Sequence, residues 1–169
     1  MSQAIVELSE YNPKWSSEFE IEKAFLIDKI GKWLCGNVEH VGSTSVPNLM
    51  AKPVIDIMFG IESLETSKPA IDVMVKNGYC YFPYKGDVMH WFCKPSEAHR
   101  THHLHLVPFE SPLWKERLLF RDILRSSKSL AKEYQELKQT LAIEHANDRE
   151  LYTEKKSPFI QKVITNAHC

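Results

Sequence analysis

At 169 residues, 43% of them hydrophobic and 25% charged, the chain has the size and composition of one ordinary soluble domain with a sizeable core. A formal net charge of −1 excludes a broad electrostatic grip on nucleic acid, so stable nucleic-acid binding is not expected, although local basic groups can still meet a small phosphate compound. No apolar stretch approaches the ~20 residues of a membrane span, and "MSQAIVELSEYNPKW" has neither the basic nor the apolar region of a leader, so a single cytoplasmic domain over residues 1–169 without a membrane association is expected.

In chain order, "IVEL" (5–8) reads as a short strand, and Pro13 then opens a helix. Trp15, Phe19, Glu22, Leu26, Ile30 and Trp33 recur at spacings of three and four, the stripe of a helix lying on a core; Gly31 weakens its end and Gly36 closes it. "NVEHVGS" is a strand running into a turn. "KPVIDIMFGI" is apolar on both faces, as in a central strand covered on both sides. Residues 63–77 form the next helix, with Ile71, Met74 and Val75 inward and Gly78 as its stop. Three strands follow, "YCYFPY", "MHWFCKP" and "HHLHLVPF", with a Gly86-Asp87 hairpin between the first two and a polar "PSEAHRT" loop before the third.

The last third is helical. Ser111-Pro112 is an N-cap with proline at the first position, Leu130, Tyr134, Leu137 and Leu141 form another stripe, and Ser157-Pro158 repeats the cap signal before "FIQKVITNA". The order implies an α+β fold, a mixed sheet with helices packed against it and a helical C-terminal third. The four cysteines, Cys35, Cys80, Cys93 and Cys169, contain no CxxC pair, which removes a zinc knuckle and a thioredoxin-like motif; Cys35 and Cys80 read as reduced core thiols.

One stretch carries the chemistry. Gly42, Ser43 and Thr44 end a strand in a turn whose backbone N–H groups and hydroxyls suit an anion, and the competing reading is a cap with nothing bound. Asp56 interrupts the following strand. Alternation puts Val54, Asp56 and Met58 on one face, and an acid in a central strand needs a metal, a base or the open end of the sheet; a structural ion pair is the alternative. In "THHLHLV", His103 and His105 project from one strand face and His102 and Leu104 from the other, so two imidazoles and Asp56 form a candidate set for one divalent ion. His40 either lines the same cleft or packs. Lys52, just before Pro53, is a candidate phosphate group or a solvated lysine, and Arg100, Lys115, Arg117, Arg121 and Arg125 divide the same way between ligand and charged surface.

Together, "VEHVGSTSVPNLMAKPVIDI", "THHLHLV", "LLFRDILR" and "YTEKKSPFI" resemble the GrpB family over nearly the whole chain. That family is similar to the nucleotidyltransferase superfamily typified by DNA polymerase β. The superfamily carries a Gly-Ser turn, a strand with two acids two residues apart, and a third acid on a neighbouring strand. The resemblance implies a phosphate or nucleotide site at Gly42, Ser43, Thr44, Lys52 and Arg121, and a catalytic or metal-binding role for Asp56. The second acid falls on Met58, which cannot hold a hard cation, and His103 or His105 stands on the strand of the third. One divalent ion (Mn, Zn or Mg) on Asp56, His103 and His105 is therefore implied, rather than a two-metal clamp. GrpB-like domains fused to dephospho-CoA kinase imply partners in the CoA pathway. The expected function is binding of a nucleotide or phosphate compound, with active nucleotidyl or phosphoryl transfer, or metal-assisted hydrolysis, as the alternative.

Overall fold

In the computed structural model, which describes residues 5–168, the chain forms five helices and a five-stranded sheet. Cys169 and the first four residues, on which part of the leader expectation rests, lie outside the described residues. Helix α1 (Lys14–Ile30) is followed by strands β1 (Leu34–Val41) and β2 (Ile55–Ile61), helix α2 (Lys68–Lys76), and strands β3 (Cys80–Phe82), β4 (His90–Pro95) and β5 (Arg100–Pro108). Three helices complete the chain: α3 (Pro112–Ser126), α4 (Lys128–Glu144) and α5 (Arg149–Ala167). The strand order is β1-β2-β5-β4-β3, with β2 and β5 parallel and every other neighbour antiparallel. The mixed α+β sheet expected from the sequence is present.

The two faces of the sheet are sealed differently. On one, Ile55, Ile57, Phe59 and Ile61 of β2 and Leu104 and Leu106 of β5 meet Trp15, Phe19, Leu26 and Ile30 of α1 and Ala70 and Met74 of α2. This is the larger core, and the α1 stripe lies on it as its spacing requires. On the other face, Val41, Met58, Trp91, Cys93 and Val107 pack against Trp114 of α3. A third cluster ties the loop after β1 (Val46, Leu49) to Leu124 of α3, Tyr134 of α4 and Phe159 of α5. The C-terminal helices thus hold the segment that leads into β2.

Several boundaries differ from the sequence reading. Residues 5–8 form no strand; Val6 N–H bonds to the Ala146 carbonyl instead, and the nearest pairing is an isolated bridge between Ser9 and Ala51. α1 ends at Ile30 and a single 3-10 turn (Gly31–Trp33) follows. Gly36 lies inside β1 at a positive φ of 78°, in the irregular stretch between Leu34 and Val38, rather than closing the helix. α2 begins at Lys68, and Val75 is 48% exposed because Ala70 and Met74 supply the buried face. Gly86 and Asp87 belong to a longer connection between Phe82 and His90, not to a two-residue hairpin turn. Ser157 does not cap a helix: Pro158 lies within α5, whose N-cap is Asp148, its side chain accepting from Leu151 N–H. Cys35 and Cys80 are only half-buried, while Cys93 is the core thiol.

Candidate functional site

Strand pairing assembles the site. In the parallel β2–β5 ladder Asp56 is registered opposite His103 and Met58 opposite His105, so all four side chains point to the α3 face of the sheet. Asp56 Oδ1 accepts a hydrogen bond from His103 Nδ1 at 3.0 Å. His105 Nε2 stands 3.5 Å from the same oxygen, beyond a normal hydrogen bond. One ligand atom from each of the three residues falls within 4.8 Å of the others. His103 Nε2 and His105 Nε2 are both buried with no hydrogen-bond partner among the described residues. Asp56 keeps 27% of its side chain exposed, so the cluster is reachable from solvent.

The charge states follow from the surroundings. Burial raises the Asp56 carboxyl, but the hydrogen bond from His103 and the pull of the nearby His105 outweigh it and hold the group well below the usual carboxylate range. Burial pushes both imidazoles down, only partly offset by Asp56; His105 is lowered to about 4, with the Arg117 charge as the second cause. The site at neutral pH is therefore one carboxylate and two neutral imidazoles, the protonation states in which these groups ligate.

Arg117 complicates this fit. Its Nη1 donates to His105 Nδ1 at 2.7 Å. A guanidinium has no acceptor, so Nδ1 carries the lone pair and Nε2 the proton. Ligation through His105 Nε2 requires that proton to move to Nδ1, and hence Arg117 to turn aside. His103 carries a like conflict: the nitrogen that faces Asp56 is Nδ1, whose proton the carboxylate accepts, so an ion shared with Asp56 through Nδ1 requires that proton to leave.

The Gly-Ser turn adjoins the cluster. Gly42 has φ 74°, and a Cβ there would come within 2.4 Å of Asp56 Oδ2, so backbone and carboxylate meet at a position that only glycine fills without displacement. Ser43 is half-buried beside it. Thr44 and Ser45 turn inward: Thr44 Oγ1 donates to the Val54 carbonyl and Ser45 Oγ to the Gly42 carbonyl. His40 lies on the opposite face of β1, stacked on Phe19 at 4.8 Å, and its Nε2 donates to Thr44 Oγ1, whose one proton is already used. It packs rather than lining the cleft.

The remaining candidates separate. Arg121 bonds Glu39 at 2.8 Å and the His40 carbonyl at 3.1 Å, bracing β1 against α3. Arg125 donates to the Ser45 carbonyl. Lys52 lies over the Tyr152 ring at 5.1 Å and feels the Asp56 charge; burial, then repulsion from Lys156, lowers it to about 7. Met58 is fully buried in the α3-side cluster. Sequence reasoning missed the hydrogen bond of Arg117 to His105. It also missed that Arg149 and Lys156 come near Lys52, because α5 had been started at Ser157.

Similarity to known proteins agrees with this construction. The GrpB protein family model matches residues 5–166. The chain is 35% identical to the UPF0157 protein YqkA of Bacillus subtilis over 96% of its own length, but spans only 47% of that protein. It is 30% identical to the glutamate-rich protein GrpB of Alkalihalophilus pseudofirmus, covering 91% of each chain. The crystal structure of the conserved protein GrpB from Enterococcus faecalis superposes with a TM-score of 0.85 at 34% identity, over 95% of this chain and 96% of that one. With the sheet, the Gly-Ser turn and the Asp-His cluster in place, the chain belongs to the GrpB family.

Proposed function

We propose that the chain is a cytoplasmic ligand-binding protein that holds one divalent cation on Asp56, His103 and His105 and a phosphate-bearing small molecule beside it, at the Gly42-Ser43 turn. The observation that carries this reading is the convergence of one carboxylate and two imidazoles, with one ligand atom of each within 4.8 Å of the others and Nε2 of both rings buried and unpartnered. Burying such atoms without a partner costs about 1–3 kcal/mol each, a cost that a bound cation removes. One carboxylate oxygen with two imidazoles suits Zn²⁺ or Mn²⁺ better than Mg²⁺, which prefers oxygen ligands and retains water. When bound, such an ion supplies charge neutralisation for a phosphate oxygen. Met58 supports binding over turnover: the place of the superfamily's second acid lies in the apolar core.

The test is calorimetric titration of the metal-free chain with Zn²⁺ and Mn²⁺. Wild type binds one equivalent, and Asp56→Asn, His103→Gln and His105→Gln each weaken binding at least tenfold. Because both imidazoles sit below the ordinary histidine range, the affinity persists below pH 6.5 and declines towards His105's value of about 4. Equal affinity in the three variants refutes the reading.

A second reading, hydrolysis or phosphoryl transfer, is favoured by the Asp56–His103 hydrogen bond. The carboxylate orients Nδ1–H and leaves Nε2 as a neutral acceptor, the arrangement of a general base. Asp56-dependent turnover of a nucleoside triphosphate panel with Mg²⁺ or Mn²⁺ selects it over binding alone.

A further inference from the structure

Two free thiols face one another at the edge of the sheet farthest from β1. In the antiparallel β3–β4 pair Cys80 is registered opposite Cys93, and in the β4–β5 pair Cys93 is registered opposite His103. With His103 opposite Asp56, one lateral row runs Cys80, Cys93, His103, Asp56 from β3 to β2. Alternation gives the two thiols a common face. Cys80, Phe82, Trp91 and Cys93 belong to the cluster under α3, whereas Tyr81 and Phe92 pack into the core under α1. The row therefore ends in two sulfurs for which the Asp56–His103 site has no use.

The spacing suits a disulfide. Residues directly opposite in an antiparallel pair have Cα atoms about 4.5–5.5 Å apart. A disulfide spans Cα atoms about 4.4–6.8 Å apart, provided that the side chains project to the same side, as they do here. Both thiols also aim at one short stretch of chain. Cys80 Sγ donates to the Pro95 carbonyl at 3.7 Å and Cys93 Sγ to the carbonyl of the next residue, Ser96, at 3.8 Å. A thiol is a weak donor, so little is lost when either sulfur turns from its carbonyl to the other sulfur. The thiols are close enough that Cys80 opposes ionisation of Cys93.

Access to the two is unequal. Cys93 is wholly buried, and Cys80 is half-buried on β3, the three-residue edge strand. A small oxidant in solution meets Cys80, and Cys93 is reached from within the protein, by way of Cys80. That is the arrangement of an attacking and a resolving cysteine.

We propose that Cys80 and Cys93 are a modification site, a thiol pair that a peroxide converts to a reversible disulfide. Cys80, as its thiolate, attacks one peroxide oxygen. The O–O bond breaks, Cys80 becomes a sulfenic acid, and the departing hydroxide takes up a proton as water. Cys93 then gives up its proton and attacks the Cys80 sulfur. The S–S bond forms, the S–O bond breaks, and hydroxide leaves with that proton as a second water. The two thiols lose two electrons and two protons in all, and hydrogen peroxide takes up both. A dithiol reductant restores the pair by exchange. The bond ties the edge strand to β4 and closes the connection between Phe82 and His90 into a loop. It needs no cation and is independent of the ligand reading of Asp56, His103 and His105.

The experiment treats the intact, reduced protein in EDTA with hydrogen peroxide, blocks the remaining thiols with iodoacetamide, and maps peptides by mass spectrometry without reduction. The thiol count falls by two, a Cys80–Cys93 cross-link appears, and dithiothreitol removes it. Cys93→Ala stops the reaction at a sulfenic acid on Cys80, which dimedone traps. Cys80→Ser leaves Cys93 unmodified. Thermal melting checks that both variants are folded, and the wild-type map decides the pairing without them. A cross-link from Cys80 or Cys93 to Cys35, Cys169 or a second molecule in place of the mutual one overturns the proposal. So does separate oxidation of the two thiols without a bond between them, or loss of the Cys93 thiol in folded Cys80→Ser. Zn²⁺ titration of the reduced protein is read separately, so that either reading can fail while the other stands.

Discussion

Asp56 and His103 are lateral neighbours in the one parallel strand pair of the sheet, and their side chains meet at 3.0 Å on the face that α3 covers. Register alone produces this contact. A slip of one residue would turn His103 towards α1 and bring His102 or Leu104 to Asp56, so the apolar alternation that fixes the core also fixes the site.

Gly42 is where turn and acid adjoin, and its substitution acts on both. An alanine Cβ would collide with Asp56 Oδ2 at 2.4 Å, in a backbone conformation that side chains disfavour. Gly42→Ala is expected to cost about 1–2 kcal/mol of stability and to weaken Zn²⁺ binding at least tenfold by displacing the carboxylate. Ser43→Ala is expected to leave the metal untouched. Denaturant unfolding and calorimetry on the two variants read both effects, and unchanged metal affinity in Gly42→Ala would show that the carboxylate moves freely.

Replacing Met58 by Asp restores the superfamily's acid spacing on paper, but the side chain is wholly enclosed by Val41, Met89, Trp91, Cys93, Val107 and Trp114. A charge there is cut off from water, and its lateral neighbour, His105, is held neutral by burial and by Arg117. Met58→Asp is expected to destabilise the fold by about 3–5 kcal/mol and to gain no second metal, as read by urea unfolding and by metal stoichiometry. A stable variant binding two ions would show that the cluster opens to solvent.

His40 makes the fold acid-sensitive. Burial holds it at about 4 against an ordinary value of 6.5, with Arg125 and Arg121 adding to the fall and Asp56 opposing it. The folded chain therefore refuses a proton that the unfolded chain accepts. Above pH 6.5 nothing changes; between 6.5 and about 4 stability falls, and below that this contribution levels off. Over that range His40 accounts for about 3 kcal/mol. His90, His102, His103 and His105 are shifted in the same direction. His40→Gln, which keeps an N–H for Thr44, is expected to lose less stability than wild type between pH 7 and pH 4.5. Identical pH slopes would assign the acid sensitivity to the other histidines.

The period-two alternation made the facing of Asp56, His103 and His105 legible, because it depends only on each strand's own residues. Which strands lie side by side depends on contacts between distant segments, and the family resemblance supplied what the pattern did not. Around Ser157-Pro158 the local signal misled: proline usually opens a helix, yet here α5 runs through it, anchored by the Asp148 cap and the burial of Tyr152, Val163 and Ile164. With the helix started too late, Arg149, Tyr152 and Lys156 were never placed on one face, although their spacings of three and four would have shown it. The hydrogen bond of Arg117 to His105 left no local trace, since it joins residues of β5 and α3 whose separation in space is set by the packing of Trp114.

That same hydrogen bond gives the sharpest test of the cation site. A ligating imidazole keeps a proton on its other nitrogen and donates it to an acceptor. Arg117 presents His105 Nδ1 with a donor at 2.7 Å, which holds His105 in the tautomer that cannot ligate through Nε2. A glutamine carbonyl at the same place would accept the Nδ1 proton and reverse the tautomer. Arg117→Gln is therefore expected to raise Zn²⁺ affinity about tenfold, the scale of such supporting contacts. Arg117→Met, which removes the donor without adding an acceptor, is expected to fall between wild type and Arg117→Gln. Combining His105→Gln with Arg117→Gln should erase the gain, because the gain acts only through that imidazole. Zn²⁺ titrations of the four proteins, with thermal melts to confirm folding, decide the matter. An affinity that falls in Arg117→Gln would mean that His105 does not ligate through Nε2, leaving Asp56 and His103 as the ligands.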